Sequence, residues 1–234
     1  MKLYRSLSSQ SSSLLRASYF YAPALLVMIA VYAQPYVKMS ELTRDAVVVA
    51  GGSFYHGMIS NIGILLWCAT ASICLFSVSL LKRWNMNSYK NFLLCGGLLT
   101  TMLLLDDLFL LHEGEIPSLL GIRERYIMVT YLILIALFLI RFVKIIWTTS
   151  YLVLLSSLGF FGLSVFIDAL SLFIEIEEQS STGELAFLFE DGFKFMGIVG
   201  WFYYFASTSH AAIKRGINKK NTISKAQEVL EVNL

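Results

Sequence analysis

The chain has 234 residues, of which 57% are apolar and 15% are charged, and its mean hydropathy is +0.68. Soluble domains carry about 25% charged residues, so this composition excludes an ordinary soluble enzyme and indicates an integral membrane protein. No patch of basic residues suited to nucleic acid occurs, because the Lys and Arg residues lie between apolar runs. All three cysteines fall within such runs, which favours small core residues over a disulfide set or a metal motif.

A helix that crosses a membrane needs about 20 mostly apolar residues. Six stretches of the chain meet this requirement, which predicts an all-α integral membrane protein with a bundle of six transmembrane helices. The first stretch is interpreted as an uncleaved span, because its apolar part begins only after residue 16 and no clear cleavage site follows it. A Ser-rich basic arm (1–16) precedes the six-helix domain (17–212), and a basic tail (213–234) follows it. The predicted spans are 17–36, 56–81, 89–112, 125–146, 150–174 and 185–208.

The basic residues predict the orientation of these spans. With the N-terminus inside, thirteen Lys and Arg residues fall in the inner segments and four in the outer ones. Cytoplasmic segments are enriched in Lys and Arg, so both termini are predicted to be cytoplasmic, in a bacterial inner membrane or an equivalent one. Fourteen of the sixteen acidic residues lie at or near the outer side.

The most unusual stretch is residues 103–115, LLLDDLFLLHEGE, which places ionisable groups at the end of the third span. A charge near the bilayer centre costs roughly 2.5–3.5 kcal/mol on insertion scales, so such residues are candidates for function. On a continuous helix, Asp106 and Glu113 lie within about 20° of each other. Asp107 and His112 flank them, which predicts one acidic face at the outer end of this helix.

Two further spans carry polar groups on one face. The sixth span opens with Glu190, Asp191 and Lys194, of which Glu190 and Lys194 have the favourable order for an ion pair one turn apart. A stripe in the fifth span consists of Ser157, Ser164, Asp168, Ser171 and Glu175. Such stripes face other helices or water rather than lipid.

The outer ends of spans three and five also resemble each other. An offset of 62 residues places DDLFLLHEGE over DALSLFIEIE, matching Asp106 with Asp168 and Glu113 with Glu175. This alignment predicts a duplicated helical hairpin, with spans 2–3 equivalent to spans 4–5. Two facing hairpins would then form a cavity of four carboxylates.

The acidic residues at the outer ends of spans three, five and six cannot all be ionised in a dry site with one lysine. Some of them must hold protons, contact water or bind a cation. Mixed imidazole and carboxylate ligation suits Zn, Fe or Mn, whereas carboxylates alone suit Ca. A metal-bound water would supply a nucleophile, although no HExxH, HxxxH or CxxC motif occurs. The predicted catalytic residues are Asp106, Asp107, Asp168, Glu190 and Lys194, and the predicted metal ligands are His112, Glu113, Asp191, Glu175 and His56.

Three classes of function stay open. The first is an outward-facing cavity that binds a divalent metal or another cation, with hydrolysis of a lipid or other membrane-embedded substrate as its chemistry. The second is a proton- or cation-coupled transporter, which would need a polar path to the cytoplasm. The third is a scaffold subunit that binds membrane-protein partners, with the acids serving as structural pairs or solvated groups. The inner halves of spans three and six offer few polar groups, which favours a one-sided site.

Overall fold

The computed structural model describes residues 25–26, 28–38, 46–53, 55–112, 116–174 and 181–232, and all regular secondary structure in these ranges is helical. The chain divides into two compact units, Met1–His56 and Gly57–Leu234. In the first unit, residues 28–33 are helical and a short helix, α1, spans Ala46–Val49. The predicted arm 1–16 and residues 17–24 and 27 of the predicted span 17–36 lie outside the described residues.

The second unit contains six described helices: α2 (Met58–Arg83), α3 (Asn87–Phe109), α4 (Ile116–Leu120), α5 (Glu124–Ile146), α6 (Tyr151–Ile174) and α7 (Ser181–Val232). Four of them, α2, α3, α5 and α6, are long and apolar enough to cross a membrane. Within the described residues, the all-helical fold and four of the predicted spans are therefore confirmed. The count of six spans and the orientation of the termini are not.

The sixth predicted span lies inside α7, which is not among these four helices. Charged groups at its start and aromatic, hydroxyl and histidine side chains further along lower its hydropathy. It is nevertheless the central helix, since it packs extensively against both α6 and α2, and Trp201, Tyr204 and Phe205 are fully buried. Its 52 residues correspond to about 78 Å at 1.5 Å per residue, so it continues well past residue 212.

Glycines allow α7 to approach its neighbours closely. A Cβ atom at Gly96 of α3 would lie 2.4 Å from a ring carbon of Phe205, and one at Gly197 would lie 2.7 Å from Phe161 of α6. Small residues at such contacts are the usual means by which membrane helices pack tightly. The buried Ser157 hydroxyl also donates a hydrogen bond of 2.7 Å to the Gly197 carbonyl, which joins α6 to α7.

The helices of the two proposed hairpins pack differently. The α2 and α3 helices pack along each other extensively, whereas α5 packs mainly against α3, and α6 against α7. Because the consecutive helices α5 and α6 make little contact with one another, the pairing of α2 with α3 has no close counterpart. The predicted duplication is not confirmed.

The three cysteines differ in their surroundings, although all three are free thiols. Cys74 is buried in the core, as predicted, whereas Cys68 and Cys95 are exposed on the outside of the bundle. Small apolar side chains are tolerated on a lipid-facing surface, so composition alone does not separate the two cases.

One end of the second unit is basic. Arg215 of α7 donates a hydrogen bond to the Tyr89 hydroxyl of α3, and its guanidinium group lies 5.4 Å from the centre of that ring. The Tyr89 hydroxyl is also 3.3 Å from the Thr148 hydroxyl, just after α5. These contacts bring together the start of α3, the end of α5 and the second half of α7. The end of α3, the start of α5 and the start of α7 meet at the opposite, acidic end.

Candidate functional site: an acidic cavity between five helices

A cavity of about 490 Å³ lies at the acidic end, lined by side chains of α2, α3, α5, α6 and α7 and by His112. Ligand-binding cavities in proteins have volumes of about 300–1,000 Å³, so this one is large enough for a small organic molecule. All six acidic residues whose side chains the structure describes line its wall. They are Asp106, Asp107, Glu124, Asp168, Glu190 and Asp191, and they share the wall with Lys194 and His112.

Asp106 is the most buried of these acids, with 4% of its surface exposed. Its Oδ1 accepts hydrogen bonds from the Tyr131 hydroxyl at 2.8 Å and from the His112 backbone N–H at 3.0 Å. Its Oδ2 lies 2.5 Å from Nδ1 of the His112 ring. A carboxylate can be buried when its lone pairs are occupied in this way, so Asp106 joins α3 to α5 and orients the histidine.

The local fold explains why His112 can reach back to Asp106. The α3 helix ends at Phe109, and Leu110 adopts a left-handed conformation with φ of 49°. This turn directs the chain back toward the helix end. The expectation that one straight helix runs to residue 112 is therefore wrong, because the left-handed residue ends it three positions earlier. A non-glycine residue in this conformation costs roughly 1–2 kcal/mol, which the two bonds from His112 to Asp106 offset.

Asp107 has a different set of partners. Its Oδ1 lies 2.8 Å from the Lys194 ammonium group of α7, and its Oδ2 accepts a 2.8 Å hydrogen bond from the Trp67 indole of α2. The Asp107 side chain is 12% exposed, so it is largely desolvated and benefits from a charged partner. These contacts tie three helices together and give Lys194 the position of an internal counter-ion.

The other carboxylates are more open to the cavity. Asp168 of α6 and Asp191 of α7 are exposed, and within the described part of the chain neither forms a hydrogen bond or an ion pair. Glu124, at the start of α5, places a carboxylate oxygen 3.9 Å from His112 Nε2. Three helices therefore each present an acid to the same space.

The other end of the cavity is apolar and aromatic. The Trp67 ring is stacked on Phe161 with centroids 5.9 Å apart, and it meets Trp201 edge-on at 6.0 Å. Trp201 is held by a 3.0 Å hydrogen bond from its indole to the Thr100 hydroxyl. The α5 wall is formed by Met128, Leu132 and Ile135, which recur on one helical face. The cavity thus has one charged end and one apolar end.

The structure brings together seven of the ten predicted site residues. Glu113 and Glu175 lie outside the described residues. His56 belongs to the first unit, where its ring accepts a 3.2 Å hydrogen bond from the Ser53 backbone N–H and packs edge-on against Tyr55. The seven on the cavity wall are Asp106, Asp107, His112, Asp168, Glu190, Asp191 and Lys194.

The metal ligands remain a prediction without structural support. Among the described residues, no group of three or more His, Cys, Asp or Glu side chains is placed to hold a metal ion. The acids are spread around the wall of a large cavity, and the two most buried ones are engaged in bonds within the protein.

Three residues of the site were missed in the sequence. Tyr131 was one of two polar groups in an otherwise apolar span, and its isolation was the signal that it has a buried partner. Trp67 lies in the second predicted span, on one face with Ser60, Gly63 and Thr70, and Glu124 lies just before the fourth predicted span. All three line the cavity. The hydrogen bonds of Tyr131 to Asp106 and of Trp67 to Asp107 join different helices, 25 and 40 positions apart in the sequence, which local patterns do not predict.

The fold and this cavity define a helical membrane protein with a polar, acid-lined site at one end of its helices. The chain belongs to the family described as a domain of unknown function (DUF8692), whose model matches residues 19–208. That range includes every residue of the cavity wall. No curated protein and no solved structure matches the chain.

Proposed function

We propose that this membrane protein binds a cation in its acidic cavity, on the extracytoplasmic side. The observation that carries the proposal is the charge of the wall, where six carboxylates face one lysine and one histidine. Ionisable groups within membrane helices are costly, and they usually mark ion, proton or substrate sites. A bound cation would reduce the repulsion between these acids.

Two of the carboxylates are already stabilised by the protein itself. Lys194 compensates Asp107, and three donors surround Asp106. Asp168 and Asp191 have no such partner within the described residues, and they project from the neighbouring helices α6 and α7. These two acids are therefore proposed as the principal contacts of the cation.

The basic residues at the opposite end of the unit support the proposal that the cavity lies on the extracytoplasmic side. Lys82 and Arg83 lie in the last turn of α2, and Lys144 in the last turn of α5. On α7, Lys214 is 20 residues beyond Lys194, or about 30 Å along the helix, which is the thickness of a bilayer core. Because basic residues collect on the cytoplasmic side, the cavity is proposed to face outward, with both termini in the cytoplasm.

A metal-dependent hydrolase is a second candidate, supported by the Asp106–His112 pair. Contact between Asp106 and Nδ1 orients the ring, which leaves Nε2 as the nitrogen that could accept a proton. A histidine oriented by a carboxylate is a recurring base in hydrolytic sites. A divalent metal such as Zn, Mn, Fe or Ca would supply the activated water, and a lipid or other membrane-embedded molecule would be the substrate.

Cation binding can be measured through the tryptophans of the cavity. The full chain is studied in a neutral maltoside detergent, in a Trp84→Phe, Trp147→Phe background that retains Trp67 and Trp201. Mn²⁺, Zn²⁺, Ca²⁺ and tetramethylammonium are titrated separately at constant ionic strength. We expect a saturable fluorescence change with at least one of them. The Asp168→Asn, Asp191→Asn double variant should weaken it at least about tenfold, or about 1.4 kcal/mol.

Lys214→Gln is the control, because it makes the net charge more negative at the opposite end of α7 and should leave the affinity unchanged. The proposal is wrong if no cation saturates the signal up to about 10 mM, which corresponds to about 2.7 kcal/mol of binding free energy. It is also wrong if the double variant binds as tightly as the parent. The second candidate is tested by measuring the release of a fatty acid or headgroup from added lipids. Release that depends on added metal and is abolished by His112→Gln would favour the hydrolase.

A further inference from the structure

The polarity of the cavity changes along the helix axes. On α5 the wall runs from Glu124 at the charged end to Ile135 at the apolar end, and on α7 it runs from Glu190 to Trp201. Each pair is 11 residues apart, or about 16 Å along a helix. The two helices change from charged to apolar in the same direction, because they enter the cavity from the same end of the unit. An occupant that matches this wall has a charged group at one end and an apolar body at the other.

The cavity also has a gap in its side. The helices α5 and α6 both line it but make little contact with one another. Leu132 of α5 and Val165 of α6 line the cavity and yet are 55% and 37% exposed. Both lie in helices apolar enough to cross a membrane, so in a bilayer a gap between them would open toward hydrocarbon. A molecule dissolved in the bilayer would then reach the cavity through it without crossing water.

The size of the cavity argues against a metal ion as its sole occupant. A water molecule takes up about 30 Å³ of liquid volume, and a bare metal ion less, so an ion would leave most of the 490 Å³ unfilled. The apolar walls offer such an ion no ligands. A hydrocarbon chain would occupy the space beside Phe161 and Ile135, while a cationic group would lie among the carboxylates.

We infer that the ligand of this cavity is an amphipathic organic cation, an ammonium group on an alkyl chain, taken up from the bilayer through the gap between α5 and α6. The inference rests on the proposed function, because the ammonium group would be held by the same acids. It adds the chemical class of the ligand and its route of access.

Photolabelling with two matched probes tests the inference. One is an octyltrimethylammonium with a diazirine on its chain, and the other has the same chain with a sulfate head. The full chain is labelled in neutral maltoside detergent, which carries neither charge, and the labelled residues are located by mass spectrometry. We expect the ammonium probe to label the α5 and α6 walls of the cavity at least about fivefold more than the sulfate probe. Asp168→Asn, Asp191→Asn should remove the difference.

A pair of α5 variants tests the route of access. Leu132→Trp narrows the gap, whereas Ile133→Trp adds the same bulk at a position 53% exposed that does not line the cavity. Leu132→Trp should slow labelling of the cavity after addition of the probe at least about threefold, while Ile133→Trp leaves the rate unchanged. Binding of tetramethylammonium to Ile133→Trp should match the parent, and thermal unfolding in detergent shows that both variants are folded.

The outcomes separate this inference from the proposed function. If tetramethylammonium or a metal binds but the alkylammonium labels the cavity no better than the sulfate probe, the site takes cations and the inference is wrong. Equal rates of labelling in Leu132→Trp and in the parent overturn the lateral route. If no cation binds at all, the proposed function fails and the inference fails with it.

Discussion

The two ends of the second unit differ in how closely their helices pack: the helices lie close together at the basic end, and two of them stay apart at the acidic end. At the basic end, the rings of Phe92 and Phe205 are stacked with centroids 5.7 Å apart, and Gly96 lets Phe205 lie against α3. At the acidic end, α5 and α6 stay apart and enclose a cavity. Small residues bring helices together, and the absence of such contacts leaves room for a ligand.

The polar groups of the two regions differ accordingly. In the closely packed region the Thr70, Ser77 and Thr100 hydroxyls donate to carbonyls of their own helices, four residues back, which satisfies them locally. Fewer polar groups there bond to a neighbouring helix, as Ser157 and Arg215 do. At the acidic end the polar groups bond between helices, as Asp106 does with Tyr131 and Asp107 with Lys194. The first arrangement leaves packing to apolar contacts, whereas the second makes the geometry of the cavity depend on a few side chains.

The largest effect is expected at Asp106. Asp106→Ala removes the acceptor for the Tyr131 hydroxyl and for the backbone N–H and Nδ1 of His112, and leaves these donors buried. Losing one member of such a buried group costs about 3–5 kcal/mol. Denaturant or thermal unfolding in detergent measures this, with Asp168→Ala as the control, which should change stability by less than about 0.5 kcal/mol. Equal losses of stability in the two variants would show that the hydrogen bonds of Asp106 do not stabilise the fold.

The close packing of the other region can be disturbed by one methyl group. Gly96→Ala puts a Cβ atom into the Phe205 ring and should destabilise the protein by about 1–3 kcal/mol, despite the better helix propensity of alanine. Gly159→Ala is the matched change at a position with no neighbouring atom within 4 Å, and it should cause no loss. A stable Gly96→Ala protein would mean that α3 and α7 can separate, contrary to the proposed contrast between the ends.

A smaller effect is expected from Tyr131→Phe, which deletes one hydrogen bond to the Asp106 carboxylate. Hydrogen bonds to charged groups contribute about 1.5–3 kcal/mol, and the lower figure applies here because His112 still donates to Asp106. Tyr126→Phe, on the same helix and 55% exposed, should be neutral in the same unfolding assay. If both are neutral, α5 does not depend on this bond for its position.

The smallest effect is expected for the ion pair between Asp107 and Lys194. The lysine is 39% exposed, so solvent weakens the attraction and the coupling energy should be about 1 kcal/mol or less. A double-mutant cycle with Asp107→Asn and Lys194→Gln isolates it. Lys194→Gln should also raise the affinity for a cation, because it removes the lysine from the cavity wall, and an unchanged or lower affinity would argue against an electrostatic site.

A local pattern was enough to place some of the cavity residues on one face. The stripe of the fifth span placed Ser164 and Asp168 on one face, and both line the cavity. It failed at the end of α3, where Leu110 leaves the helix and moves His112 onto Asp106. Apolar residues of this kind carry no signal of a left-handed turn, so the pattern of LLLDDLFLLHEGE looked like an unbroken helix.

The sequence by itself determined the helical membrane class, four of the spans and the collection of acids at one end, because hydropathy and charge act over one helix at a time. Only the tertiary structure decided which acids are paired, since Asp106 meets Tyr131 across 25 positions and Asp107 meets Lys194 and Trp67 from two other helices. It also decided that α5 and α6 stand apart. How far each helix rotates and how closely it approaches its neighbours depends on all of them together, and no single segment contains that information.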